Sequence, residues 1–171
     1  TLMPQATQLH LELGCGKGEF IAAMSTQAPD INYIAVDIKD EILFIAKEAI
    51  EAARRAAGHT ADNLRLTAFD IERIEDVMAP EDRVARIYIN FPNPWPKARH
   101  HKHRLIHARQ LTHYLTFLAP GGEVWLRTDD RDLFEDGREA LVSCGFVIDD
   151  LIYDLLSSGR AGYPGSEHQR L

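Results

Sequence analysis

Short apolar runs rich in β-forming residues alternate with stretches of helical periodicity along the chain, and that order constrains the fold more than any other feature. The runs fall at 8–13 (QLHLEL), 31–37 (INYIAVD), 63–70 (NLRLTAFD), 84–90 (VARIYIN) and 121–128 (GGEVWLRT). Apolar spacing predicts helical segments at about 18–28, 40–57, 71–78, 103–118 and 130–143, with Asp40 as N-cap of the second. Residues 146–156 read as extended. Such alternation predicts an α/β fold, a mostly parallel central sheet with helices on both faces and right-handed crossovers. The 171 residues, 45% hydrophobic, suit a single domain, 1–171. Ligands of such sheets bind beyond the carboxyl ends of the strands, near the switch point after the first.

At that place the sequence reads LELGCGKGEF, with Gly14, Gly16 and Gly18 between first strand and first helix. The spacing is G-x-G-x-G, not the G-x-G-x-x-G of dinucleotide enzymes. Glu12 precedes the glycines, Asp37 ends the second strand and Asp70 ends the third. All three should line one crevice. An acid at the second strand's end can accept from both ribose hydroxyls, and Asp70 can accept from an adenine amino group. Glu12 would repel a pyrophosphate and attract a cation. S-adenosylmethionine (SAM), which has no phosphate and carries a sulfonium and an ammonium, fits this set better than NAD.

The fourth strand ends in Asn90 and runs into FPNPWPKARHHKHR, residues 91–104. Three prolines stiffen this turn, which is expected to hold Asn93 and Trp95 over the crevice. Residues 97–109 carry five bases and no acid, a local +5 in a chain of net charge −7. Lys97, Arg99, Lys102 and Arg104 are therefore expected to meet a polyanion backbone while the loop reads a base. An aromatic beside basic residues suits RNA better than a small metabolite. His100, His101, His103 and His107 raise a metal hypothesis. With no cysteine or carboxylate among them, and cations beside them, no metal site is expected. The two cysteines make no disulfide framework, and no apolar run reaches a membrane span's roughly 20 residues. A cytoplasmic protein with no membrane association is expected, and no obligatory protein partner is evident.

LELGCGKGEF, INYIAVDI, FPNPWPKARHHKHR and RTDDRDLFEDG together resemble the bacterial tRNA (guanine-N7)-methyltransferases, over nearly the whole chain. The third stretch is the specific one, similar to the family's F-P-D-P-W-x-K-x-R-H-x-K-R-R. The resemblance implies a Rossmann-like class I SAM-dependent methyltransferase fold and methylation of guanine 46 in the tRNA variable loop. It implies SAM contacts at Glu12, Asp37 and Asp70, and substrate contacts at Lys97 and Asp129. It gives Asn93 the place of the family's catalytic, SAM-contacting Asp. Ser166 and Gln169 stand in its C-terminal T-x-x-E substrate motif. Against that pattern the chain starts almost at the first strand and stops before a closing strand, the expectation for a trimmed chain. Three other readings stay open: an amino-group methyltransferase, since Asn93-Pro94-Trp95 resembles that class's Asn-Pro-Pro-aromatic loop; a non-catalytic SAM- and tRNA-binding protein; and a nucleotide-cofactor oxidoreductase.

Overall fold

The computed structural model describes residues 2–58, 60 and 62–154. Its strands are β1 (Gln8–Leu13), β2 (Ile31–Asp37), β3 (Leu64–Ala68), β4 (Val84–Asn90) and β5 (Leu118–Arg127). Its α-helices are α1 (Glu19–Gln27), α2 (Asp40–Ala57), α3 (Ala108–Phe117) and α4 (Arg131–Ser143). The strands form one sheet in the order β3-β2-β1-β4-β5, with every pairing parallel. The order reverses at β1, so the switch point, where ligands of such sheets bind, lies between β1 and β4.

Side-chain alternation splits the core into two layers. Leu11, Leu13, Ile87 and Ile89 face α3 and α4, against Leu111, Tyr114, Phe117 and Leu133. Tyr33, Ala35 and Tyr88 face α1 and α2, against Phe20, Ile21, Leu43 and Ile50. This second face is the more polar. His10 is buried there, with Nδ1 3.1 Å from the Tyr88 hydroxyl and Nε2 2.8 Å from Gln8 Oε1. Burial, and the Arg86 charge after it, push its imidazole down to about 4.

Three local expectations change. Asp40 is the first residue of α2 rather than its cap; Lys39 holds the cap position, its N–H donating to Asp37 Oδ1 at 3.1 Å. The helix expected over 71–78 is a 3-10 helix, Ile71–Asp76, kinked at Arg73. The one expected over 103–118 divides into a 3-10 helix, Ala98–His103, and α3. Arg104 turns inward between them, and the His107 ring caps α3 by accepting from Arg109 N–H at 3.2 Å. Residues 146–154 lie outside every strand pairing of the described residues.

Candidate functional site

Parallel strands bring all their carboxyl ends to one edge, so residues far apart in sequence meet there. The glycine loop follows β1 directly. Gly14 and Gly16 take positive φ, and a Cβ at Gly16 would meet nothing within 4 Å, which leaves its surface open to a ligand. Gly18 has a different task. A Cβ there would stand 2.7 Å from the Ala46 Cβ, so its absence lets α1 enter against α2.

The loop's N–H groups are already engaged. Gly14 and Cys15 donate to the Val36 carbonyl at 2.8 and 3.1 Å, and Gly18 to the Cys15 carbonyl at 2.9 Å. Gly16 N–H donates to Asp37 Oδ2 at 3.0 Å. Dinucleotide loops aim such donors at a pyrophosphate; here a protein carboxylate takes the place a phosphate oxygen would need. Asp37 is thereby held at the end of β2 by two backbone donors, Gly16 and Lys39. Phe69 N–H donates to the Asp37 carbonyl at 3.0 Å, which sets Asp70 beside that strand end. Asp70 is exposed, and its Oδ1 caps the following 3-10 helix by accepting from Glu72 N–H at 3.0 Å.

Glu12 lies deeper, 2% exposed. Its Oε1 accepts from Asn90 Nδ2 at 2.9 Å, while Oε2 has no hydrogen-bond partner among the described residues. Burial pushes its carboxyl up to about 8; the Asn90 hydrogen bond and the Arg127 charge oppose that rise, and Asp37 adds to it. Asn90 and Arg127 carried no signal in the sequence beyond their places at strand ends. Register supplies it, for Asn90 pairs with Arg127 across β4 and β5.

The loop after β4 is tightly folded. Phe91 and Trp95 both hold positive φ, +48° and +45°, which costs on the order of 1 kcal/mol each outside glycine. Asn93, exposed at the bend, accepts from Trp95 N–H through Oδ1 at 3.0 Å. The Trp95 ring packs on His100 and His103, at centroid distances of 5.7 and 5.3 Å, outside both core layers.

Arg104 departs from the expectation of a backbone contact. It is 4% exposed, its Nε donates to the Pro94 carbonyl at 2.7 Å, and its guanidinium pairs with Asp136 of α4. It clamps the loop from behind and has no free face for a polyanion. Lys97, Arg99 and Lys102 remain exposed, and so does Asp129 before α4. The histidines also gain neighbours that local sequence does not show. Glu72 Oε1 lies 2.6 Å from His103 Nδ1, and Asp136 Oδ2 lies 3.6 Å from His101 Nδ1. Among the described residues no three His, Cys, Asp or Glu side chains gather as metal ligands. Ser166 and Gln169 lie outside the described residues.

This carboxyl edge therefore offers buried acceptors and acids, with the backbone donors of Gly14, Cys15, Gly16 and Gly18 taken. These residues fit SAM, whose adenosyl hydroxyls and amino group donate and whose other end is cationic.

A family model described as "Putative methyltransferase" matches residues 6–150. The chain is 48% identical over 163 residues to a tRNA (guanine-N(7)-)-methyltransferase of Clostridium beijerinckii, covering 95% of this chain and 74% of that one. It is 46% identical over 166 residues to one from Acetivibrio thermocellus, covering 97% and 76%. The antibiotic-resistance methyltransferase Kmr has a similar fold, with TM-score 0.55, 18% identity, and coverage of 83% of this chain and 72% of Kmr. So has PKMT2 from Rickettsia typhi in complex with AdoHcy, with TM-score 0.53, 19% identity, and coverage of 69% and 20%.

Proposed function

Since the chain belongs to the tRNA (guanine-N(7)-)-methyltransferase family, we infer that its carboxyl-edge crevice holds SAM and that the loop after β4 presents guanine to it. The protein is a SAM-dependent enzyme that methylates N7 of guanine in tRNA. Guanine 46 of the variable loop is the target. The observation that carries this assignment of the crevice is the buried Glu12 Oε2 beside a glycine loop whose N–H groups are engaged. That combination suits a phosphate-free, cationic ligand.

When bound, SAM supplies an electrophilic methyl group on a positively charged sulfur. Guanine N7 carries an in-plane lone pair and loses no proton, so no residue has to act as general base. The chain's residues align and stabilise. Glu12 balances the donor's positive charge. Asp37, held by two backbone donors, accepts from the ribose hydroxyls, and Asp70 takes the adenine amino group with the oxygen that does not cap Glu72. Asn93 would meet the donor from a loop that Arg104 fixes from behind. Lys97, Arg99 and Lys102 meet tRNA phosphates, and Asp129, Ser166 and Gln169 contact the substrate nucleotides.

An amino-group methyltransferase would use the Asn93 carbonyl oxygen to accept from an exocyclic amine. That oxygen keeps a lone pair beside its bond from Trp95 N–H, so the N7 reading is favoured by the relatives named for guanine-N(7) methylation. No described helix is long and apolar enough to cross a membrane, and the reaction belongs where tRNA is, in the cytoplasm. Incubation of unmodified tRNA with labelled SAM, nuclease digestion and nucleoside identification tests the assignment. The expected product is 7-methylguanosine; label in N6-methyladenosine, or none transferred, overturns it.

A further inference from the structure

Two buried acceptors at the ends of adjacent strands have no partner among the described residues: Glu12 Oε2 and Asn90 Oδ1. Each belongs to a side chain whose other polar atom is engaged, because Asn90 Nδ2 donates to Glu12 Oε1 at 2.9 Å. An ionised carboxylate only accepts, so the amide must turn its NH2 to Glu12 and its oxygen away. Sheet register makes this contact possible. Glu12 pairs with Tyr88, and Asn90, two residues on, shares that face at the crevice end. Native structures satisfy nearly all buried acceptors. Two orphans at the ligand edge point to donors that arrive with the ligand.

We propose that Asn90 is a positioning residue of the methyl-donor site: its amide NH2 holds Glu12 in one orientation, and its Oδ1 joins Glu12 Oε2 in receiving the donor's ammonium group. The proposal rests on the reading of this crevice as the SAM site. A neutral amide beside the acid gives a second acceptor without a second negative charge. The surrounding charges make that distinction matter. Arg127 faces Glu12 from β5, Asp37 from the end of β2 and Cys15 from the glycine loop, and α1 begins with Glu19. A second carboxylate in place of Asn90 would compete with Glu12 for a proton.

The arrangement couples donor binding to a proton. A cation binds the ionised form of Glu12, whose carboxyl burial pushes up to about 8. Affinity should therefore rise with pH through neutrality and level off above that value, with a proton released on binding. The Asn90 hydrogen bond favours the ionised form. Without it the rising limb moves to higher pH.

Titration calorimetry of SAM into the wild-type protein and Asn90→Leu, from about pH 6 to 9 in two buffers of different ionisation enthalpy, tests this. Asn90→Leu is expected to bind SAM roughly tenfold or more weakly at pH 7, with its rising limb displaced upward and tRNA binding retained. Unchanged affinity overturns the proposal. Weaker binding with an unmoved pH profile overturns it too, since a purely structural loss would leave the proton linkage alone. If circular dichroism shows that Asn90→Leu does not fold, Asn90→Asp, which keeps the side chain's size, must displace the limb upward; an unmoved limb again overturns the role. A wild-type protein that binds no SAM at any pH overturns the reading of the crevice itself and the Asn90 role with it.

Discussion

Asn93 holds its loop by accepting from Trp95 N–H, which leaves a ligand one lone pair of Oδ1 and the amide nitrogen, a donor. Guanine's N1–H and amino group are donors as well. In Asn93→Asp one oxygen can keep the Trp95 bond while the other accepts from the base and balances the cationic product. A hydrogen bond to a charged group contributes about 1.5–3 kcal/mol, so transfer should run roughly ten- to hundredfold faster. Glu12, Asp37 and Asp70 oppose this by raising the new acid's pKa, which makes the gain largest at high pH. Single-turnover methylation by both forms at about pH 6 to 9 checks it, and a variant no faster anywhere removes Asn93 from catalysis. Asp37 is the other decisive residue. It orders the glycine loop through Gly16 N–H and is assigned the ribose. Asp37→Ala should weaken SAM binding by roughly tenfold or more and leave tRNA binding nearly intact, as calorimetry with each ligand will show.

The segment after β4 combines two elements with opposite roles in one run of bases. Lys97, Arg99 and Lys102 are exposed; Arg104 is buried against Pro94 and Asp136. Replacing the three exposed bases together should weaken tRNA binding and flatten its salt dependence, each lost phosphate contact lowering the slope by roughly 0.7–0.9. Arg104→Met should leave that slope unaltered. It should instead free the Phe91–Pro96 loop, in which two non-glycine residues hold positive φ, so that kcat falls while SAM affinity stays near wild type. Filter binding across salt and single-turnover kinetics separate the two roles. A salt slope that changes with Arg104→Met would return that residue to the RNA face.

Across the whole molecule, two buried titratable groups on one sheet face pull stability in opposite directions with pH. His10 is held down to about 4 from 6.5, so the unfolded chain binds the extra proton and stability rises with pH between those values. Glu12 is pushed up to about 8 from 4.5, so the folded protein binds the extra proton and stability falls as pH rises through that window. The two effects offset each other below about pH 6.5, and above it Glu12 acts alone. Ligand-free protein should lose about 1–2 kcal/mol between about pH 6.5 and 8, and Glu12→Gln should abolish that loss. Urea titrations of both forms at several pH values measure it. A wild-type stability that is flat over this range would mean that Glu12 ionises in the folded state at ordinary pH.

The alternation of apolar runs and helical spacing determined by itself that the chain forms an α/β sheet, since period and turn residues are local properties. That Glu12, Asp37 and Asp70 gather at one edge was legible for a related reason: a parallel sheet sends every strand's carboxyl end to the same edge, wherever each strand sits in the order. What local sequence could not show are contacts made across long separations. Arg104 reads as one more base in a basic run until Asp136, 32 residues on, and the Pro94 carbonyl draw it inside. Glu72 reaches His103 over 31 residues, although no carboxylate lies among the histidines in sequence. Asn90 meets Glu12 over 78 residues because β4 pairs beside β1, and that adjacency is a property of the sheet order alone. Residue type and spacing determined which side chains could do chemistry here; strand order and burial decided which stand open at the sheet's edge and which hold the others in place.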